Sequence, residues 1–179
     1  VNIAGVHREL TLFEIKPGLR IAILNILGDT ELVQASAKEL AKKLANKKCD
    51  VLLTAETKSI PLACALAIEM QKPYVILRKS YKLYMGNALK AETLSITTGE
   101  PQTLYLDEKD FALLKGKNVI IVDDVISTGS TLEAMRHLTE KGGVLKLFET
   151  VEGDYHIIKN SYREKLFIHD KDRHLTNVI

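Results

Sequence analysis

The chain has 179 residues, 46% apolar and 27% charged, which suits one globular domain with a single sizeable core and excludes a disordered or fibrous protein. Its 25 basic and 23 acidic side chains leave a net charge of +2 spread along the sequence, so no dense basic stripe for nucleic acid is present. No apolar run approaches the roughly 20 residues that span a bilayer, and residues 1–8 lack a signal-peptide pattern, so a cytoplasmic protein without a membrane partner is expected.

In chain order, residues 10–14 and 21–25 read as short strands. Gly28-Asp29-Thr30 opens a helix that Asp29 or Thr30 can cap and whose positive end suits Glu31. Val33, Ala37, Leu40 and Leu44 recur there at helical spacing. Residues 51–55 form a buried-type strand, residues 59–70 a helix with Pro61 in its first turn, and residues 73–77 another strand. Cys49 and Cys64 are the only cysteines and lack metal-ligand spacing; Cys64, inside an apolar run, reads as a buried small residue. Residues 80–101 are polar and aperiodic until 93–97, which can pair with 103–106 as a small antiparallel ribbon. Residues 119–122 are a strongly apolar strand, 130–141 a helix stopped by Gly142-Gly143, 144–150 a strand, and 166–169 one further strand. Strands alternating with helices predict one α/β domain over residues 1–179, a central mainly parallel sheet flanked by helices.

The segment from Val119 to Leu132 carries the chemistry. A buried strand ends on Asp123-Asp124, and a helix opens at Ser127-Thr128-Gly129-Ser130-Thr131. A helix start offers unpaired N–H groups and partial positive charge to a phosphate, Gly129 lets the backbone come close, and the hydroxyls can donate further hydrogen bonds. Ser130 and Glu133 match a capping box. Alone, Ser-Thr-Gly-Ser-Thr fits an ordinary capped turn about as well. Two carboxylates at a sheet end favour a ligand, because uncompensated buried charge is costly. Residues 54–60 join a strand to the next helix; Lys58 brings charge and Ser59 can cap, which also describes a plain helix start. The stretch from Arg78 to Leu83, with Lys79 and Lys82, is a cationic site or a basic surface turn, and Glu149 is a site or surface glutamate.

The order apolar strand, Asp123-Asp124, two residues, Ser-Thr-Gly-Ser-Thr resembles the signature by which type I phosphoribosyltransferases bind 5-phosphoribosyl 1-diphosphate (PRPP). It lacks the Gly-Lys-Ser/Thr of a Walker A loop and the Gly-x-Gly-x-x-Gly of a dinucleotide fold. Arg-Lys-x-x-Lys-Leu at 78–83 is similar to a stretch of the adenine members. The resemblance spans residues 29–153 and implies the type I phosphoribosyltransferase fold, with a small hood from residues 1–28, 154–179 or both, and a flexible antiparallel loop. It implies that Asp123 and Asp124 hold the ribose hydroxyls and that Ser127, Thr128, Gly129, Ser130 and Thr131 wrap the 5-phosphate. Glu56, Thr57, Lys58 and Ser59 are then the pyrophosphate loop, which in the family often contains a non-proline cis peptide, and Lys79 and Lys82 face the diphosphate. Asp123, Asp124 and Lys82 become the catalytic candidates, residues 84–99 a mobile loop closing over PRPP, and Glu149 a residue beside the base.

The implied activity is Mg²⁺-dependent transfer of phosphoribose from PRPP to a purine of the adenine or xanthine kind, with Mg²⁺ held by ligand oxygens and water. The implied partners are PRPP, a nucleobase and a second copy in a homodimer; no nucleic acid is expected. Two motifs depart from the adenine pattern: Glu56-Thr-Lys-Ser59 replaces Glu-Ala-Arg-Gly, and Thr97-Thr98-Gly99 stands where Glu-Tyr-Gly is usual. These departures motivate an alternative, a non-catalytic PRPP-binding or regulatory protein of the same fold.

Overall fold

Two-residue turns with positive φ organise the first quarter of the chain. Asn2–Ile3 (β1) pairs antiparallel with Val6–His7 (β2) around Ala4 and Gly5, whose φ values are 51° and 84°. Thr11–Lys16 (β3) pairs antiparallel with Leu19–Ile23 (β4) around Gly18, with a register shift between Glu14 and Lys16. The Gly18 N–H donates to Glu14 Oε1 at 3.0 Å. This turn moves both strands one or two residues from the positions expected at 10–14 and 21–25. The computed structural model describes residues 1–94, 101–126, 129–144 and 146–149; the strand expected at 166–169 and the expected role of 154–179 lie outside the described residues.

Thr30–Leu44 (α1) starts as expected, with Asp29 accepting from the Leu32 N–H at 3.1 Å. Arg8 ties the first hairpin to that helix start. Its Nε and Nη2 donate to the two oxygens of Asp29 at 2.7 and 2.8 Å, and Nη2 also reaches Glu31 at 2.8 Å. The guanidinium holds the Asp29 carboxyl down at about 2. Its ordinary unfolded value is about 3.9. The depressed value means that the fork stabilises above pH ~4 and is lost as pH falls through 2. Arg8→Met is therefore expected to lower the melting temperature at pH 7 and to match the unmodified chain near pH 2 in urea titrations. An equal deficit at both pH values would refute the linkage.

The centre is a four-stranded parallel sheet of order β10-β9-β5-β6, made of Val51–Ala55 (β5), Tyr74–Leu77 (β6), Asn118–Val122 (β9) and Lys146–Glu149 (β10). Every residue of β5 and β9 is buried, as apolar strands covered on both faces require. Alternation sorts their side chains. Leu52, Ile120 and Val122 pack with α1 and Ile60–Met70 (α2), and Val51, Leu53, Val119 and Ile121 pack on the opposite face. The opposite cover is Ser130–Lys141 (α4) and an antiparallel ribbon of Leu89–Leu94 (β7) with Pro101–Leu106 (β8). A short helix, Phe111–Leu114 (α3), leads into β9 and went unread in the sequence. Asp50 clips the starts of the two central strands together, its Oδ2 accepting from Asn118 N and Nδ2 at 2.8 and 2.6 Å.

Two expectations need correction. The ribbon begins at Leu89, earlier than 93, so residues 84–94 are structured and not one long loop. Leu89 and Ala91 turn to the core while Lys90 and Glu92 turn out, a weak alternation because its central apolar member is alanine. Cys49 is the buried cysteine and Cys64 is only half-buried. No helix among the described residues is long and apolar enough to cross a membrane.

Candidate active site

Crossovers leave the central strands in opposite directions. β5 leads through α2 to β6 on one side, and β9 leads through α4 to β10 on the other. The loops after β5 and β9 therefore flank the switch point of the sheet, the crevice where open α/β sheets take ligands. They are the two loops singled out in the sequence.

After β5, the Glu56–Thr57 peptide is cis. Glu56 faces the next strand end: its Oε2 accepts from the Lys79 N–H at 2.9 Å, and Oε1 lies 3.3 Å from Arg78 Nε. The Arg78 contact is an ion pair without hydrogen-bond alignment. Glu56 thus joins the loop to the basic segment. Ser59, expected as a cap, makes no side-chain cap bond to α2. Its hydroxyl instead donates to the Ala55 carbonyl at 3.0 Å and accepts from Thr54 Oγ1 at 2.8 Å, closing the loop on the strand that precedes it. Thr57 and Lys58 are exposed.

After β9, Asp123 and Asp124 are half-buried, and the Asp124 N–H donates to Asp123 Oδ1 at 3.1 Å. Burial, then the neighbouring Asp124 charge, pushes the Asp123 carboxyl up to about 7. Burial also raises Asp124, while the Lys58 charge pulls it down. The exposed Lys58 of one loop thus acts by its charge on Asp124 of the other.

The sign of the Asp123 shift makes stability depend on pH. Between about 4, the unfolded value, and 7, the folded chain keeps a proton that the unfolded chain has lost. Stability then falls as pH rises through that window. Asp123→Asn is expected to melt higher than the unmodified chain at pH 8, with the gap closing by pH 4. A pH-independent gap in a melting series would count against the shift.

Gly129 precedes α4 with φ 81° and ψ 5°, the left-handed region that favours glycine. It also corrects the expected capping box. Gly129 is the N-cap, no side-chain cap bond forms, and Ser130 is the first helical residue, so its offset to Glu133 is wrong for the box. Glu133 instead pairs with Arg136 at 3.2 Å. Ser130 and Thr131 stand half-buried at the helix start, whereas Ser127 and Thr128 lie outside the described residues. Lys79 and Lys82 are exposed on the segment after β6. Glu149 ends β10 opposite Ile121 of β9, and its side chain is outside the described residues, as are Thr97, Thr98 and Gly99.

Sequence reasoning missed one feature: Asp124 also borders an apolar crevice lined by Ile3, Ile26, Leu32, Ser36 and Leu62. Its walls come from segments far apart in the chain, so no local motif could announce it. No group of three or more His, Cys, Asp or Glu side chains suited to a metal ion occurs among the described residues.

Comparison with known proteins bears on the family. The family model of the phosphoribosyl transferase domain matches residues 24–150. The purine biosynthesis transcriptional repressor PurR of Bacillus subtilis is 32% identical over 127 residues, 71% of this chain and 44% of the repressor. The adenine phosphoribosyltransferase of Butyrivibrio fibrisolvens is 33% identical over 129 residues, 72% of this chain and 69% of that enzyme. This chain spans about half the length of the PurR regulators it matches, between 44% and 58%. Among solved structures, the adenine phosphoribosyltransferase of Thermoanaerobacter pseudethanolicus superposes with a TM-score of 0.63 at 27% identity, covering 78% of this chain and 81% of that one. The Giardia lamblia enzyme complexed with 9-deazaadenine shares the fold with a TM-score of 0.69 at 23% identity, over 83% of each chain.

Proposed function

The chain belongs to the phosphoribosyl transferase domain family, and from that premise we propose that it transfers phosphoribose from PRPP to a purine base, releasing pyrophosphate. The observation that carries the reading is the Asp123–Asp124 pair at the switch point, between the 56–59 loop and the start of α4. Adenine and hypoxanthine/guanine phosphoribosyltransferases among the relatives support a purine acceptor.

The 5-phosphate of PRPP sits at the start of α4, where the positive end of the helix dipole attracts an anion and Gly129 admits it closely. Asp123 and Asp124, once ionised, accept from the ribose hydroxyls, and those hydrogen bonds replace the water that burial removed. Lys58, Lys79 and Lys82 neutralise the diphosphate as its bond to ribose C1 breaks. The base nitrogen then forms the new bond to C1 from the opposite face and gives up its proton to water, with Glu149 the candidate to orient the base. Mg²⁺ would be held by the ligand's own oxygens and water beside the hard oxygens of Asp123 and Asp124, and would supply charge neutralisation for the leaving diphosphate. Catalysis is then mainly positioning and electrostatics. A homodimer acting in the cytoplasm is part of the same reading, drawn from the family resemblance.

A second reading has its own support. Several relatives are transcriptional regulators, so PRPP binding without turnover would make the chain the sensing part of a regulator. One experiment separates the two. Incubate the protein with Mg-PRPP and, in turn, adenine, hypoxanthine, guanine, xanthine, uracil and orotate. Nucleoside monophosphate and pyrophosphate in equal amounts from a purine support transfer. PRPP binding without product from any base supports the regulator, and neither binding nor product defeats both.

A further inference from the structure

The segment that carries Lys82 is a closed clasp, pinned from below by a residue far away in the sequence. Residues 83–85 form one 3₁₀ turn, with the Met85 N–H donating to the Lys82 carbonyl at 2.9 Å and the Lys82 N–H meeting Met85 Sδ at 3.2 Å. Met85 is 1% exposed and roots the turn in the fold, while its neighbours Leu83 and Tyr84 are exposed. The Tyr81 hydroxyl donates to the Gly86 carbonyl at 3.1 Å across the turn, and the Tyr81 ring rests on Tyr105 of β8 at 6.0 Å.

Glu108 closes the clasp. Its Oε2 accepts from the Asn87 N–H at 2.6 Å and its Oε1 from Asn87 Nδ2 at 3.3 Å, so one carboxylate holds both the backbone and the side chain of the residue after the turn. Gly86 has φ 58°, and a Cβ there would run into the Glu108 carboxylate. Only glycine lets the carboxylate come in this close. Ala88 alone separates Asn87 from β7, and Glu108 lies two residues past β8, so the same contact ties together both roots of the β7–β8 ribbon.

From these contacts we infer that Glu108 is a positioning residue for pyrophosphate: by clasping Asn87 it fixes the turn that presents Lys82. The inference rests on the proposed transferase reading and adds a residue to it that touches no ligand. With the backbone of the turn held, only the lysine side chain has to be ordered when the anion arrives, which is the advantage of a supported site over a loose one. Glu108 is exposed and its loss leaves the core intact, so its effect falls on the clasp.

Calorimetric titration of the full chain with pyrophosphate and, separately, with ribose 5-phosphate tests this. Glu108→Ala is expected to weaken pyrophosphate binding about tenfold, the loss of roughly one hydrogen bond to a charged group. Ribose 5-phosphate affinity stays within about twofold, since its site lies on Asp123, Asp124 and the start of α4. In a Lys82→Ala background the Glu108→Ala change has no further effect on pyrophosphate. Gly86→Ala, which displaces the carboxylate, reproduces the selective loss. Equal weakening of both ligands, unchanged pyrophosphate affinity, or an undiminished effect without Lys82 would overturn the inference. An unmodified chain that binds neither ligand would overturn the transferase reading along with it.

Discussion

Replacing Asp123 and Asp124 together with alanine is expected to abolish PRPP binding and, at pH 8, to raise the melting temperature. The two effects share one cause. In the ligand-free chain burial and mutual repulsion oppose ionisation, which holds Asp123 at about 7. Removing the pair relieves that opposition, so the fold gains. In the complex the same oxygens accept hydrogen bonds from the ribose, each worth about 1.5–3 kcal/mol when the acceptor is charged. Losing two such bonds weakens PRPP by about a hundredfold or more. Calorimetry with Mg-PRPP and a thermal melt on the same sample read both effects. Retained affinity would remove the carboxylates from the site, and a lower melting temperature with lost binding would recast them as structural. Site residues that oppose stability are a common signature of function.

Gly129→Val is expected to act with the opposite sign on the fold. At φ 81° a β-branched residue is strained by about 1–3 kcal/mol, so the start of α4 must reconform. The N–H groups that meet the 5-phosphate are then misaimed. Ribose 5-phosphate affinity should fall by about tenfold to a hundredfold, and the melting temperature should fall too. Gly129→Ala, with less crowding, should lie between. Unchanged ribose 5-phosphate affinity in the valine variant would place the phosphate elsewhere. Taken with the alanine pair, the two variants weaken binding at one site while moving stability in opposite directions, which global unfolding could not do.

The candidate site was legible in the sequence where one short segment contains its strand end, carboxylates and helix start. Apolar strand, paired carboxylates, glycine and helix start are contiguous from Asn118 to Ser130, and the structure keeps them in that arrangement. The parallel sheet was legible for a similar reason, because strands buried on both faces are apolar throughout. Side-chain partners were less legible. Ser59 and Ser130 both looked like caps, yet Ser59 bonds to Thr54 and Ala55, and Gly129 takes the cap position before Ser130. Glu56 sits in the loop its motif suggested, but its carboxylate turns to Arg78 and Lys79. The Glu108–Asn87 clasp and the crevice beside Asp124 join residues far apart in the chain, which periodicity and motif spacing do not register.

The central claim, that PRPP lies across the switch point between β5 and β9, is tested most directly by a crystal structure of the chain with Mg-PRPP. The account predicts the 5-phosphate at the start of α4 by Gly129, the ribose hydroxyls on Asp123 and Asp124, and the diphosphate against the 56–59 loop near Lys82. PRPP bound in the reverse direction, or away from the Asp123–Asp124 pair, would contradict it.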